Sequence, residues 1–371
     1  MRIVQAAAFP FPSPQGSQVF VRGMSKALAQ RGHDVTVVCY GHGQGEVDPD
    51  YRVLRTPQFP GYNNMRAGPD FVKPILDLAL AQRIASVDAD VVHAHNYEAP
   101  IAAALARLRT RTPIVYNAHN TMAEELPSYF ESAAARRVAG RLGRWLDERV
   151  PRLAEHAVAL NHGSVGTLEA LGCSAVTMVQ PGVDTADFDD VVPAVLPDGP
   201  WVVYAGNPDR YQDLDVLIEA MGHLPECGLL LVSASPLDGW AECGLKRLKL
   251  IQTSDFGEVK SLVKAAQVAA IPRTLCSGYP IKLLNYLALG VPTVVAAGSA
   301  QPLPGVVVVP NHDPLAMASE IRHLLQNDVH RRSLGAQAIE HIRAACTWGA
   351  RAQDLEGVYA RVLAQACGQR L

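Results

Sequence analysis

A chain of 371 residues is longer than one hydrophobic core ordinarily serves, so two domains are expected. Apolar residues make up 49% and charged residues 19%, a balance that suits a soluble globular protein and excludes a disordered one. The formal net charge of −3 gives no global attraction to nucleic acid, and none is expected as a partner.

The amino-terminal run MRIVQAAAFPFPSPQG carries one arginine and is interrupted by three prolines. It reads neither as a secretory signal nor as a transmembrane helix, and a cytoplasmic protein is expected. Short β-branched runs then alternate with helical patterns, the rhythm of βαβ units around parallel sheets. A strand over Arg2–Ala7 is followed by a helix over Gln18–Gln30 and a strand over Asp34–Cys39. Strands at Asp90–His93 and Pro113–Asn117 enclose a helix at Pro100–Leu108, and Ala157–Leu160, a helix near Val165–Leu171 and Val176–Val179 close this half. The stretch QPGVDTADFDDVVPAVLPDGP, residues 180–200, has no sustained period and reads as a hinge.

After it the pattern restarts. Strands are expected at Trp201–Tyr204, Leu229–Ser233, Val268–Ile271 and Thr293–Ala296, with helices at Leu214–Met221, Gly257–Ala265 and Lys282–Leu289 between them. The fold class is therefore α/β, with a first domain over residues 1–182, a second over 183–345, and a helix over 346–371 that crosses back to the first. Seven scattered cysteines without a CxxC pair read as reduced thiols, and no metal site is expected.

Ligands of open parallel sheets bind beyond the carboxyl ends of strands, where helix N-termini offer unpaired N–H groups. Three loops have this form: Phe9–Gln18, Gly206–Asp213 and Arg273–Lys282. In the last, Ser277, Gly278 and Pro280 allow a tight turn, and the amides of Ile281–Leu284 with Arg273 and Lys282 form a candidate diphosphate cradle; the alternative is an ordinary turn with a solvated lysine. The Gly206 loop adds Arg210 and Gln212, with Asp213 a candidate cap for the next helix. A nicotinamide site is disfavoured, because no G-x-G-x-x-G follows the first strand.

His93 and His95 alternate onto one strand face and read as hydrogen-bonding residues. His119 follows the strand IVYNA at its carboxyl edge, where substrates sit. Arg136, Arg137, Arg141, Arg144, Arg149 and Arg152 fall on an expected helix with Val138, Leu142 and Trp145. This helix is either an interfacial surface for anionic lipid or a solvated helix with a core-facing apolar stripe. Asp147 and Glu148 dilute the charge and favour the second.

The segments KALAQRGHDVTVV, DADVVHAHN, YNAHNT, QPGVD and GYPIKLLNYLALGVPTVV, with Gly16 and Ser17 in the amino-terminal loop, resemble in order the retaining nucleotide-sugar glycosyltransferases of family four. That resemblance implies two Rossmann-like doubly wound domains facing across a cleft, the GT-B fold, with a nucleoside-diphosphate sugar held mainly by the second and a hydroxyl acceptor by the first. It implies no metal, and polysaccharide, glycolipid or metabolite synthesis on the cytoplasmic side, with possible contact at the inner membrane surface. By position, His119 becomes the candidate catalytic residue lining the reacting sugar. His95, Asn96 and Asn120 lie on the acceptor side. Gly16, Ser17, Asn207, Arg210, Gln212, Arg273, Ser277, Gly278, Tyr279, Pro280, Ile281, Lys282 and Asn285 become donor contacts, and Gln252–Phe256 borders the base. Two glutamates of the family pattern are replaced by Ser277 and Asn285, and its Arg and Lys by Asn207 and Gln212. Two other readings stay open on these residues: a weak or inactive relative that binds nucleotide or glycan as a partner subunit, and a sugar-nucleotide epimerase.

Overall fold

The structure, a computed structural model, describes residues 1–13, 16–43, 45–59, 70–173, 175–274 and 278–368, and the chain divides into two compact units. The first holds the chain up to Gly182, the pair Gly278 and Tyr279, and everything from Trp348 onward; the second holds Val183 to Thr347 apart from that insertion.

In the first unit the described strands are β1 (Arg2–Ala7), β2 (Asp34–Cys39), β3 (Arg52–Arg55), β4 (Val91–His95), β5 (Ile114–Ala118), β6 (His156–Ala159) and β7 (Val176–Met178). They pair in parallel in the order β3-β2-β1-β4-β5-β6-β7. Between them run α1 (Gly16–Gln30), α2 (Lys73–Ala85), α3 (Glu98–Thr110), α4 (Met122–Ser128), α5 (Ala133–Arg149) and α6 (His162–Ala170). β4 and β5 are buried at every position, as strands covered on both faces must be.

The second unit repeats the plan. Its strands β8 (Trp201–Ala205), β9 (Gly228–Ser233), β10 (Leu248–Gln252), β11 (Val268–Ile271), β12 (Thr293–Ala296) and β13 (Val306–Val309) pair in the order β10-β9-β8-β11-β12-β13. Helices α7 (Leu214–Gly222), α8 (Phe256–Ala265), α9 (Ile281–Ala288), α10 (Pro314–Gln326) and α11 (Asp328–Ala345) belong here. In each unit the order reverses beside the first strand, placing the switch points between β1 and β4 and between β8 and β11.

The strands β3, β10 and β13 and the helices α2 and α4 lie outside the sequence expectation. The three strands stand at sheet edges with half-exposed residues, so they lack the continuous apolar run that marks a central strand. The last helix, α12 (Trp348–Gly368), begins slightly later than expected, because Val183 holds Cys346 by an N–H to carbonyl bond of 2.9 Å and bridges Thr347.

α12 docks on the first unit through named contacts. Glu356 accepts both arms of Arg31 at 2.7 Å and lies 2.8 Å from His33 Nε2, which holds its carboxyl down at about 2. Trp348 packs on Gly23 of α1, where an added Cβ would lie 2.1 Å from the indole, itself edge-on to Phe20 at 5.6 Å. Alanine is the better helix former by roughly 0.8–1 kcal/mol, but overpacking a fixed ring costs about 1–3 kcal/mol, so the clash dominates. Gly23→Ala is therefore expected to lower the urea midpoint, and Gly23→Ala with Trp348→Ala to lose less than the two single changes summed; strict additivity would contradict this contact.

Candidate functional site

The second unit assembles a buried cation at its switch point. Tyr286 of α9 pins the end of β8: its hydroxyl donates to the Ala205 carbonyl at 2.9 Å and accepts the Ala205 N–H at 2.7 Å. Gly206 follows with φ of +154°, and a Cβ there would stand 2.5 Å from Lys282 Nζ, so the backbone yields this space to the amine. Lys282 donates to Tyr204 Oη at 2.6 Å and Gln212 Oε1 at 3.0 Å, and stands 4.1 Å from the Tyr204 ring centroid. The Tyr204 hydroxyl itself donates to the Asn207 carbonyl at 2.7 Å. Burial holds Lys282 well below the usual lysine range, repulsion from Arg273 adds to this, and Asp209 opposes it.

Both hydrogen-bond acceptors of this amine are neutral, and among the described residues no carboxylate pairs with it. A buried amine with uncharged partners is pushed toward its neutral form until an anion arrives. Arg273 flanks it, with Nε 3.2 Å from Ser299 Oγ and the guanidinium 5.8 Å from the Tyr211 ring centroid. Pro280 stands at the N-cap of α9 without a side-chain cap, leaving the N–H groups of Ile281 and Lys282 without intrahelical acceptors. Asn285 lies one turn further along the helix. Asn207 bonds Asp209, and Arg210 is exposed on the same loop. Ser277 lies outside the described residues.

One expectation on this loop is corrected. Asp213 does not cap α7: its φ of +52° is left-handed, not the extended backbone a cap needs. Its carboxylate instead accepts the Thr274 N–H at 2.8 Å and hydroxyl at 2.6 Å, tying the β8 loop to the β11 loop.

In the first unit, α1 starts at Gly16, two residues before the expected start at Gln18, and Ser17 Oγ lies 3.5 Å from Asn96 Oδ1. Asn96 has φ of +62° immediately after β4. Asn120 donates to Glu125 at 2.9 Å, and Gly278 comes so close that a Cβ would meet Asn120 Oδ1 at 2.3 Å. Tyr279 is buried.

His95, expected on the acceptor side, ends β4. It is fully buried, because β4 is central and covered on both faces. Its Nε2 lies 2.7 Å from Gln5 Oε1 and its Nδ1 3.0 Å from His119 Nε2. Gln5 also donates to Tyr359 of α12 at 3.2 Å, and the Tyr359 hydroxyl reaches His93 Nδ1 at 2.9 Å. With the Gln5 oxygen assigned toward His95, the tautomers follow. His95 carries its proton on Nε2 and accepts on Nδ1, so His119 donates from Nε2 and keeps a bare acceptor at Nδ1. Burial pushes His119 and His93 down to about 3, and His95 well below its usual range. Neutral His119 can accept a hydroxyl proton bond at pH 7 but cannot supply an imidazolium.

These histidines set an acid limit. Unfolded imidazoles take up protons below about 6.5, whereas the folded ones stay neutral to about 3. The unfolded state binds more protons in that window, so stability falls as pH drops from 6.5. Melting temperature is expected to decline between 6.5 and 4.5, partly offset by Asp77, whose burial raises its carboxyl to about 6, and His93→Gln is expected to flatten that decline. An equally steep curve for the variant would contradict the assignment.

Tyr204, Tyr286, Gln5 and Tyr359 were absent from the sequence candidates. Tyr204 and Tyr286 sit in apolar runs indistinguishable from core, and Gln5 meets Tyr359 across 354 residues of chain.

Residues 14–187 match the family described as Glycosyltransferase Family 4, and residues 199–327 match Glycosyl transferases group 1. The chain is 28% identical to a D-inositol 3-phosphate glycosyltransferase of Xylanimonas cellulosilytica, over 93% of this chain and 91% of the relative. It is 26% identical to a phosphatidyl-myo-inositol mannosyltransferase of Mycolicibacterium smegmatis, over 98% of this chain and 94% of the relative. Among solved structures it resembles sucrose-phosphate synthase from Thermosynechococcus elongatus, with a TM-score of 0.82, 18% identity and 98% and 100% of the two chains covered. It also resembles Anabaena HepE in complex with UDP and glucose, with a TM-score of 0.71, 15% identity and 97% and 99% covered.

Proposed function

Because the chain belongs to the family-four glycosyltransferases of GT-B fold, we propose that it transfers a sugar, with retention of anomeric configuration, from a nucleoside-diphosphate donor to a hydroxyl acceptor. The observation that carries this reading is Lys282, whose amine reaches Gln212, the position where the family pattern has its lysine. The cation has moved to another element while keeping its place beside the β8 loop. Lys282, Arg273 and the first amides of α9 bind the diphosphate and stabilise it as it leaves, without a metal. Asn285 bonds a ribose hydroxyl.

In this reading the departing phosphate oxygen takes the acceptor hydroxyl's proton as the new glycosidic bond forms on the face the phosphate vacates. His119 positions a sugar hydroxyl through Nδ1, with Asn96, Asn120, Gly16 and Ser17 around the acceptor and sugar. Both relatives named above act, by name, on inositol-bearing phosphates, which makes that class the first acceptors to test. A lipid-linked acceptor places the chain at the cytoplasmic face of a bilayer. Proton NMR of the product anomeric centre tests the mechanism: retained configuration is expected, and inversion would contradict it. The alternative, a binding subunit, rests on Ser277 and Asn285 in place of two glutamates and predicts nucleotide affinity without donor consumption.

A further inference from the structure

α5 is amphipathic with its apolar stripe turned outward. The residues it fully buries are the small Ala139 and Gly143 and the polar Asp147, and its one large apolar side chain turned inward is the half-buried Leu146. Small residues let α5 lie tightly on α4, and the buried Asp147 carboxylate accepts the N–H groups of Met122 and Ala123 at 2.8 and 2.9 Å, capping α4. The core-facing stripe expected from the sequence is therefore corrected: Val138 is 66% exposed, Leu142 50% and Trp145 52%. At helical spacing these three share one face.

The arginines divide in the same way. Arg136 bonds the Phe130 carbonyl, and Arg152, on the short turn beyond the end of α5, bonds the Leu171 carbonyl. Arg137, Arg141, Arg144 and Arg149 are exposed, and among the described residues none makes an ion pair. An exposed tryptophan with valine and leucine, bordered by four uncommitted guanidinium groups and a single exposed carboxylate, Glu148, matches an interface that is apolar below and anionic at its surface.

We propose that the outward face of α5 docks this protein on anionic phospholipid, with Trp145, Leu142 and Val138 entering the headgroup boundary and the arginines pairing with lipid phosphates. This extends the bilayer placement given above by assigning it a surface. No helix among the described residues is long and apolar enough to cross a membrane, so the contact is peripheral through this helix.

The test uses the full chain with vesicles of phosphatidylcholine alone and of phosphatidylcholine mixed with phosphatidylglycerol, read by co-sedimentation and tryptophan emission. Binding to the mixed vesicles with a blue shift, weakened by salt, is expected. Arg141→Gln and Arg144→Gln are each expected to lower partitioning roughly fivefold, and Trp145→Gln to remove the shift, with circular dichroism unchanged in all three. Wild-type protein that ignores anionic vesicles, or variants that bind equally well, would overturn the proposal. A dimer seen by light scattering that Trp145→Gln dissolves, without vesicle binding, would assign the face to a second copy instead. Vesicle binding is read without donor, so this surface and the transferase reading fail separately.

Discussion

Lys282→Met is expected to weaken nucleoside-diphosphate binding while raising the melting temperature of the free protein. The two effects have one cause. In the free protein the amine is buried against Tyr204 and Gln212, which hydrogen-bond it without balancing its charge. Replacing it with an apolar chain of similar length removes that desolvation penalty. In the complex the same amine contributes a charged hydrogen bond, about 1.5–3 kcal/mol, so affinity should fall by about one to two orders of magnitude. A proton signature accompanies this. Burial lowers Lys282, and an incoming diphosphate favours its charged form, so binding should take up protons and weaken as pH rises. Calorimetry in buffers of different ionisation heat reads this directly. Unchanged affinity in Lys282→Met, with the same proton uptake, would remove the lysine from the donor site.

His119→Ala is expected to lower kcat by roughly 10²-fold, the scale of misplacing one reacting group, while leaving nucleotide affinity near that of the wild type. The cations proposed to bind the diphosphate, Lys282 and Arg273, lie in the second unit, whereas His119 follows β5 in the first. Gln5→Leu provides the companion test. Gln5 fixes the His95 tautomer, and His95 fixes that of His119. Removing the amide oxygen should lower kcat in the same direction from beneath the site, with the donor KM little changed. Full activity in His119→Ala would take the residue out of the reaction.

The alternating strand and helix rhythm made both doubly wound units legible, because central parallel strands such as β4 and β5 are apolar throughout and helices intervene. Three of the four edge strands were not legible: β10, with Leu248, Lys249 and Leu250, is half exposed along its length and lacks a continuous apolar run. The candidate site was legible as loops and as individual cations. What joins them was not: Lys282 meets Gln212 across 70 residues, and Asp213 meets Thr274 across 61. α5 shows a different limit. Periodicity separates an apolar face from a polar one without saying which is buried, and here Ala139 and Gly143 allow a backbone approach that Trp145 would obstruct.

The central claim, a nucleotide-sugar site organised by Lys282, is tested most directly by calorimetric titration of the purified protein with UDP, GDP, ADP and TDP, followed by the sugar conjugate of whichever binds. The account predicts selective binding of one diphosphate, lost in Lys282→Met, and slow release of sugar from its conjugate. Absence of binding to all four would contradict it, and would mean that the replacements at Asn207, Gln212, Ser277 and Asn285 leave no donor site.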